Sequence, residues 1–268
     1  MAAIIYFEER VVLKNYPSYT ILADQSFTIE HLFIRYNNTT LPMSSENIAL
    51  IEKIWGNKKN ASKNNNTTLF NSNLFRLDRL ETSHSNTVMH LSNTSYKDYV
   101  GTRDPSYQGF RSNAIGTAIL PILSDGHIPL GRRSMNADAN PGKLFTFGGF
   151  FENPNDINGK TGCPCIFKCA LRELEEELAT SFKKIKLTGL GVVYDNTLCH
   201  PEVSFLAEIP MTRDEIKNLN WNIELSSLIF IRPSEISNLI FSHYSEITPT
   251  LIGGLKLLEN FIKMRRQS

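Results

Sequence analysis

Short runs of apolar and β-branched residues, separated by clusters of polar turn-forming residues, recur along most of the chain. Such runs are typical of β-strands. We predict strands at positions 4–7, 20–23, 31–36, 74–80, 87–91, 113–123, 128–133, 143–147, 185–194, 203–209 and 228–231. The polar residues between 80 and 87 predict a hairpin, and Pro129 predicts that the strand 128–133 lies at the edge of a sheet.

A different spacing marks the helices. Phe167, Leu171, Leu174 and Leu178 recur at intervals of three and four residues and form one apolar stripe, which predicts a helix over 163–178 that docks on a sheet. Further helices are predicted at 45–55, 96–103, 212–219, 233–241 and 248–264. The alternation of strands and helices predicts an α/β fold built in layers.

Positions 57–73 interrupt this pattern with an asparagine-rich polar tract. The tract has too few apolar residues for a core, so we predict an exposed loop. Lys58, Lys59 and Lys63 also suggest RNA binding, but no aromatic residues interleave with them, and we favour the loop.

Composition sets the broad class. A chain of 268 residues with 41% hydrophobic residues can bury a substantial core in one large domain or two small ones. We predict a smaller β-rich domain at 1–110 followed by a second domain at 111–268. The formal net charge of +1 gives no basic field, so nucleic acid is not expected as a partner. No apolar run reaches the length of a membrane span and no signal peptide is recognisable, so we expect a cytoplasmic protein without membrane contact.

Three carboxylates share one face of the helix predicted at 163–178. Glu173, Glu176 and Glu177 are spaced i, i+3 and i+4, where like charges repel. A divalent cation would remove the repulsion, and hard oxygen ligands suit Mg²⁺ or Mn²⁺. A solvated acidic face is the alternative. Gly148 and Gly149, where the backbone can approach a metal or phosphate closely, favour the metal site.

Gly149 and the run Arg172-Glu173-Leu174-Glu175-Glu176-Glu177 resemble the Nudix box of the Nudix hydrolases. That pattern reads Gly, five residues, Glu, seven residues, then Arg-Glu-aliphatic-x-Glu-Glu-x-Gly-aliphatic. Arg172 lies 23 residues after Gly149 where the pattern has 14, so the spacer 153–163 carries an insertion. Ala179 stands where the pattern has its second Gly.

The early Glu of the pattern has no single counterpart in this chain. Glu152, Asn155 and Asp156 are all candidates for its place.

Two outer segments are similar to a Nudix subgroup that has an extra N-terminal domain and includes UDP-glucose-hydrolysing members. The first is 96–103, which is similar to a Thr-Asp-Tyr-x-x-Phe/Tyr-x-Gly-Thr stretch. The second is 246–254, where the subgroup carries Met-Thr-Pro and a glycine before its last helix. Together with the box they imply a UDP-sugar as the first choice of substrate.

The resemblance implies an α/β/α sandwich with a mixed sheet, and hydrolysis of the phosphoanhydride of a nucleotide-linked small molecule with Mg²⁺ (or Mn²⁺) as cofactor. It implies that Glu176, Glu177 and the carbonyl of Gly148 bind the metal, and that Glu173 is a further ligand or the base that deprotonates the attacking water. Arg172, one turn from Glu176, is expected to orient a carboxylate through a charge-assisted hydrogen bond.

Substrate contacts follow from the same comparison. In Nudix proteins an Arg that ends the strand before the box often lies beside the phosphates, which implies Arg132 or Arg133, unless both are solvated. If the N-terminal domain borders the site, Tyr96 and Tyr99 are expected to stack on a base and Arg103 to meet phosphate. The alternative is that both tyrosines only pack the domains together.

Two other functions remain open from the sequence. The insertion and Ala179 suggest an inactive Nudix-fold binding module. The three lysines of the polar tract suggest an RNA cap-directed hydrolase.

Overall fold

The computed structural model describes residues 3–6, 14–64, 69–137, 139–182, 185–220 and 225–267. Its strands are β1 (Ala3–Tyr6), β2 (Lys14–Asn15), β3 (Tyr19–Ala23), β4 (Leu32–Thr40), β5 (Asn73–Thr82), β6 (Thr87–Ser95), β7 (Gly116–Leu123), β8 (Ile128–Arg133), β9 (Leu144–Phe145), β10 (Lys186–Asp195), β11 (His200–Ile209) and β12 (Leu225–Ile231). Its α-helices are α1 (Ser45–Asn64), α2 (Tyr96–Thr102), α3 (Ile166–Glu177), α4 (Arg213–Lys217), α5 (Ile236–His243) and α6 (Pro249–Arg265). None of the described helices is long and apolar enough to cross a membrane.

Three sheets share the described strands. The first has the order β1-β5-β6-β4, the second β2-β3-β10-β11-β7 and the third β12-β8-β9. In the second sheet β10 and β11 form an antiparallel pair, while β11 and β7 are parallel. The predicted α/β fold with a mixed sheet is confirmed.

Helices cover both faces of the second sheet because side chains alternate along its strands. Val192 and Phe205 face a core that includes Phe167 and Leu174 of α3. The next residues in each strand, Val193 and Leu206, face a second core formed with α6, whose buried residues include Leu251, Leu255 and Leu258. The result is an α/β/α sandwich.

The sheets do not divide at residue 110, the predicted domain boundary. β3 lies before that residue and pairs antiparallel with β10 in the second sheet. Phe75 of β5 donates its amide to the carbonyl of Phe151 and accepts from Ile115. Phe75, Leu77 and Phe151 belong to the same buried core as α3. The N-terminal β-rich part and the rest of the chain therefore share one core. Local sequence patterns do not reveal this, because the strand pairing that joins the two parts is long-range.

The predicted loop at 57–73 is wrong over its first half. Helix α1 continues to Asn64, residues 65–68 lie outside the described residues, and β5 begins at Asn73. Ile51 and Trp55 are buried, whereas Asn57, Lys59 and Asn60 in the following turns of the same helix are exposed. An exposed polar extension needs no apolar period of its own, so the pattern did not mark it.

The edge position predicted for β8 is also wrong, because β8 lies between β12 and β9. β9 pairs only with Gly131 and Arg132. Arg133 donates its backbone amide to Lys143 on that side, and Pro129, an even number of residues earlier, faces the same side beyond the end of β9. The missing amide of Pro129 therefore has no strand opposite it.

Candidate active site

A cleft of about 820 Å³ lies between α3, α2 and the second sheet, β2-β3-β10-β11-β7, which is the central sheet of the sandwich. Eight of the ten residues predicted to be catalytic, metal-binding or substrate-binding line it: Tyr96, Tyr99, Arg103, Arg133, Gly148, Glu173, Glu176 and Glu177. Arg132 and Arg172 are not among the residues that line the cleft. The acidic helix face and the aromatic residues of α2 therefore meet in one concave site.

Helix α3 presents the three glutamates to the cleft at different depths. Its apolar stripe packs into the core, and Leu174 and Leu178 are fully buried. Glu177 is buried, Glu173 is partly buried and the Glu176 side chain is 58% exposed. Of the three carboxylates, only that of Glu176 belongs to a side chain that is more than half exposed to solvent.

The two glycines before α3 bring the backbone against these carboxylates. The amide of Gly148 donates to Oε2 of Glu177 at 3.0 Å. Gly148 has a φ of 146°, and a Cβ there would lie 1.9 Å from the carbonyl oxygen of Thr117. A Cβ on Gly149 would lie 2.5 Å from the carboxylate carbon of Glu173. Position 148 therefore requires glycine, and a side chain at position 149 would displace the carboxylate of Glu173. The contact seen at Gly148 is made by its N–H, and metal binding by its carbonyl stays a prediction.

Arg172 forms ion pairs with three carboxylates around the cleft. Its Nε and Nη2 donate to the two carboxylate oxygens of Asp156, each at 2.8 Å. Its Nη1 lies 2.8 Å from Glu173 Oε1 and 3.2 Å from Glu176 Oε2. Arg172 thus contacts two of the three cleft glutamates, and its role in orienting a carboxylate stays a prediction.

Asp156 is the acidic residue that pairs with Arg172. It is fully buried and also accepts the amide of Glu152 at 2.8 Å. Of the other candidates for the early Glu, Glu152 lines the cleft, and Asn155 donates its side-chain amide to Oε2 of Glu152. The sequence named Asp156 only as one of three choices because the insertion obscures the spacing.

The insertion forms a surface turn that leaves this ion pair in place. Ile157 and Pro164 bridge its two ends, and within the turn Asn158 donates its amide to the carbonyl of Cys163. Cys165, the residue before α3, donates to the carbonyl of Asp156. The chain therefore returns to the start of α3 close to where it left.

Burial raises the pKa of Glu173 to about 7, while Arg172 opposes the shift. The carboxyl lies in the wall of the cleft against Gly149, where little water can solvate its charge. A carboxyl that titrates near neutral pH can exchange a proton with a bound water.

The donor chemistry of the three glutamates fits a hard divalent cation. Their arrangement is not yet that of a metal site, because no three His, Cys, Asp or Glu side chains are gathered to hold an ion in the part of the chain that the structure describes. Glu177 is held by the Gly148 amide, and Arg172 contacts Glu173 and Glu176. Binding would require Glu176 and Glu173 to turn from Arg172 toward the ion.

Aromatic rings from three elements cluster in the cleft. The ring of Phe150 lies 5.9 Å from Tyr96, 5.0 Å from Tyr99 and 5.6 Å from His200. The guanidinium of Arg103 lies 4.8 Å from the centre of the Tyr99 ring, and its Nη1 donates to the Tyr99 hydroxyl at 3.0 Å. Tyr96 and Phe150 are partly exposed, so they offer a surface on which a flat ring can stack.

The two arginines at the end of β8 point in different directions. Arg133 lines the cleft, with its guanidinium 4.7 Å from the centre of the Phe145 ring. Arg132 donates to the carbonyl of Gly142 at 2.7 Å and to Glu246 at 3.3 Å. Of the pair implied by the sequence, only Arg133 lines the cleft.

The central sheet adds polar residues that the sequence did not assign. His200 and Glu202 of β11 line the cleft with Asp195 of β10 and Thr250 of α6. His200 begins β11 and is buried. Local sequence patterns do not mark these residues, because the pairing that brings β11 to β7 is long-range.

No model of a protein family matches this sequence, and a search of the curated proteins found no match. Among solved structures, the chain is similar to a mutT/nudix family protein from Listeria innocua, at 18% identity over 58% of this chain and 97% of that one, with a TM-score of 0.42. It is also similar to the NUDIX domain of Shewanella oneidensis NrtR complexed with ADP ribose, at 13% identity over 63% and 99%, with a TM-score of 0.39.

A third similar structure is an Ap4A hydrolase from C. elegans, at 10% identity over 55% of this chain and 98% of that one, with a TM-score of 0.39. Likenesses at this level do not assign an activity, which has to come from the residues of the cleft.

Proposed function

We propose that this protein is a divalent metal-dependent Nudix-type pyrophosphohydrolase that cleaves the phosphoanhydride of a nucleoside diphosphate-linked compound. The observation that carries the proposal is the meeting of Glu173, Glu176 and Glu177 with Arg103 and Arg133 in one cleft. The site thus combines hard oxygen donors with cations that can pair with phosphate.

Glu176, Glu177 and Glu173 would hold Mg²⁺ or Mn²⁺, which would neutralise phosphate charge and activate water when bound. Arg172 keeps its contact with Asp156 and so sets the direction from which the glutamates reach the cleft. Glu173, with its pKa near 7, is suited to take the proton of the attacking water at a carboxylate oxygen.

The remaining residues bind the two ends of the substrate. Arg133 and Arg103 would pair with phosphate oxygens, because a guanidinium matches their geometry. Tyr96 and Phe150 offer partly exposed rings for a base, and the hydroxyl of Tyr99 accepts a hydrogen bond from Arg103. A UDP-sugar is our first choice, split into UMP and a sugar 1-phosphate, on the strength of the segments 96–103 and 246–254.

We place the reaction in the cytoplasm, because the four cysteines are all free and a nucleotide-linked metabolite would be available there.

The test is a screen with phosphate-product detection in the presence of Mg²⁺. Turnover by the wild type and by Glu176→Gln would be measured with four substrates: UDP-glucose, ADP-ribose, a diadenosine polyphosphate and a capped RNA. The exposed Asp214 of α4 supplies a matched control in Asp214→Asn. Mg²⁺-dependent turnover of a small substrate that fails only in Glu176→Gln supports the proposal. Turnover of capped RNA alone, or of nothing in the panel, would replace it with a cap-directed enzyme or a binding module.

A further inference from the structure

Strand β11 places the carboxyl of Glu202 in the cleft, and none of the roles above uses it. Its side chain is 18% exposed and lies beside Gly116 of the neighbouring strand. Its Oε1 is 3.5 Å from Nε2 of His200. Glu202 is therefore a nearly enclosed polar group that still opens to the cleft.

His200 joins Glu202 to the aromatic cluster. The His200 ring lies 5.4 Å from Tyr99 and 5.6 Å from Phe150. A flat, partly exposed aromatic surface at Phe150 thus continues through His200 to a carboxyl. Proteins hold single nucleobases with this combination, a ring that stacks on the face of the base and a polar group that pairs with its edge.

The surroundings of Glu202 decide its charge. Burial raises its pKa to about 8; Asp195 adds to the shift, while Thr250 and Arg133 oppose it. Burial also lowers the pKa of His200 to about 4. Near pH 7 both groups are therefore neutral, and the carboxyl offers one O–H donor and one carbonyl acceptor side by side.

We propose that Glu202, with the adjoining rings of Phe150 and His200, forms the nucleobase-binding end of the cleft, in which the neutral carboxyl pairs with an adjacent acceptor and donor on the base edge. The imide edge of uracil, with O4 and N3–H, is such a pair. An ionised carboxylate has no donor and repels the carbonyl oxygen, so the pairing depends on the proton. The inference rests on the proposed function, because it assumes a nucleotide-linked ligand.

The first test measures binding of half-substrates by calorimetry at constant Mg²⁺, so that turnover is not needed. The probes are UMP, ribose 5-phosphate, which has no base, and glucose 1-phosphate, which reports on the other end of a UDP-sugar. Glu202→Leu should weaken UMP binding by about tenfold, the usual loss for removing hydrogen bonds of this kind. Ribose 5-phosphate and glucose 1-phosphate should change less than about twofold, on the same scale. Glu259→Leu on α6, outside the cleft lining, is the matched control.

The second test uses Glu202→Gln, whose amide keeps one donor and one acceptor but cannot ionise. It should rescue most of the UMP affinity that Glu202→Leu loses. Wild-type affinity for UMP should fall between pH 7 and pH 9, and the decline should be smaller in Glu202→Gln under the same conditions. Because both variants can be checked by thermal unfolding, the glutamine variant keeps the test valid if the leucine variant does not fold.

The proposal is overturned if Glu202→Leu binds UMP as the wild type does, if UMP and ribose 5-phosphate weaken equally, or if glucose 1-phosphate is the probe that weakens. Identical pH dependence in the wild type and Glu202→Gln would also overturn it. Failure of the proposed hydrolysis is a separate result, because a protein that hydrolyses none of the substrates can still bind UMP through its base.

Discussion

Arg172 and Asp156 form a two-point ion pair, in which Nε and Nη2 donate to separate carboxylate oxygens at 2.8 Å each. Asp156 is fully buried, and the Arg172 side chain is 20% exposed. The other guanidinium nitrogen is left for Glu173 and Glu176. One residue outside the cleft lining therefore connects the core of the protein to its candidate metal ligands.

Asp156→Asn should harm both stability and turnover. The amide nitrogen of Asn would face the guanidinium and leave a buried cation partly unpaired, which typically costs about 3 kcal/mol or more. We expect the free energy of unfolding in denaturant to fall by that order. kcat should also fall, because Asp156 fixes the position of Arg172 behind the glutamates, and a displaced guanidinium would change the direction from which they reach the cleft. Asp214→Asn, at an exposed site, controls for loss of charge; equal stability of the two variants would show that the pair is not structural.

Glu176→Gln and Glu177→Gln should each lower turnover by at least about 100-fold, because each removes a charged metal ligand. The metal-free protein should not lose thermal stability. Gln at 177 can still accept the amide of Gly148 and removes a buried charge, and Gln at 176 stands on an exposed side chain. Wild-type kcat in both variants would exclude these residues as metal ligands.

The raised pKa of Glu173 predicts the sign of a stability change with pH. The folded protein holds this proton up to about pH 7, whereas in the unfolded chain Glu173 has its ordinary pKa of 4.5. Between these values the folded state binds more protons, so ionisation of Glu173 lowers stability as pH rises. Without metal, Glu173→Gln should gain stability over the wild type between pH 4.5 and 7, by on the order of 2–3 kcal/mol at neutral pH.

Chemical denaturation of both proteins at pH 4.5, 5.5, 6.5 and 7.5 measures that difference. A difference that stays constant over the series would mean that Glu173 titrates as an ordinary surface carboxyl.

Ala179→Gly should stabilise the protein. Ala179 follows α3 with a φ of 47°, a left-handed conformation that costs a residue with a Cβ roughly 1 kcal/mol or more relative to glycine. The Nudix pattern has glycine at this place. Against this gain stands the greater freedom of glycine in the unfolded chain, so we expect a net increase of about 0.5 kcal/mol in the free energy of unfolding. A decrease would show that the conformation is not strained.

The helix stripe of Phe167, Leu174 and Leu178 was predictable because its period is local, and the three glutamates follow from the same spacing. The partner of Arg172 was not, since nine extra spacer residues hide the position of Asp156. Glu202 was missed for a different reason. It reaches the cleft only through the parallel pairing of β11 with β7, a contact between residues about 86 apart in the register Glu202–Gly116.

Arg133→Ala should raise KM for the nucleotide substrate with little change in kcat, because the side chain would bind phosphate equally in the ground and transition states. Arg132→Ala is the matched control. Arg132 is the preceding residue of the same strand but turns to Gly142 and Glu246. Arg103→Ala should behave like Arg133→Ala, since Arg103 also lines the cleft.

Steady-state kinetics of the three variants separate binding from stability. A KM increase of about tenfold, equal to about 1.4 kcal/mol, is expected for Arg133→Ala and Arg103→Ala only. Thermal unfolding guards against a trivial cause, because Arg103 contacts Tyr99 and Arg133 contacts Phe145. An equal rise of KM in Arg132→Ala would mean that substitutions at the end of β8 raise KM by disturbing the local structure. An unchanged KM in all three variants would mean that the phosphates do not bind to these arginines.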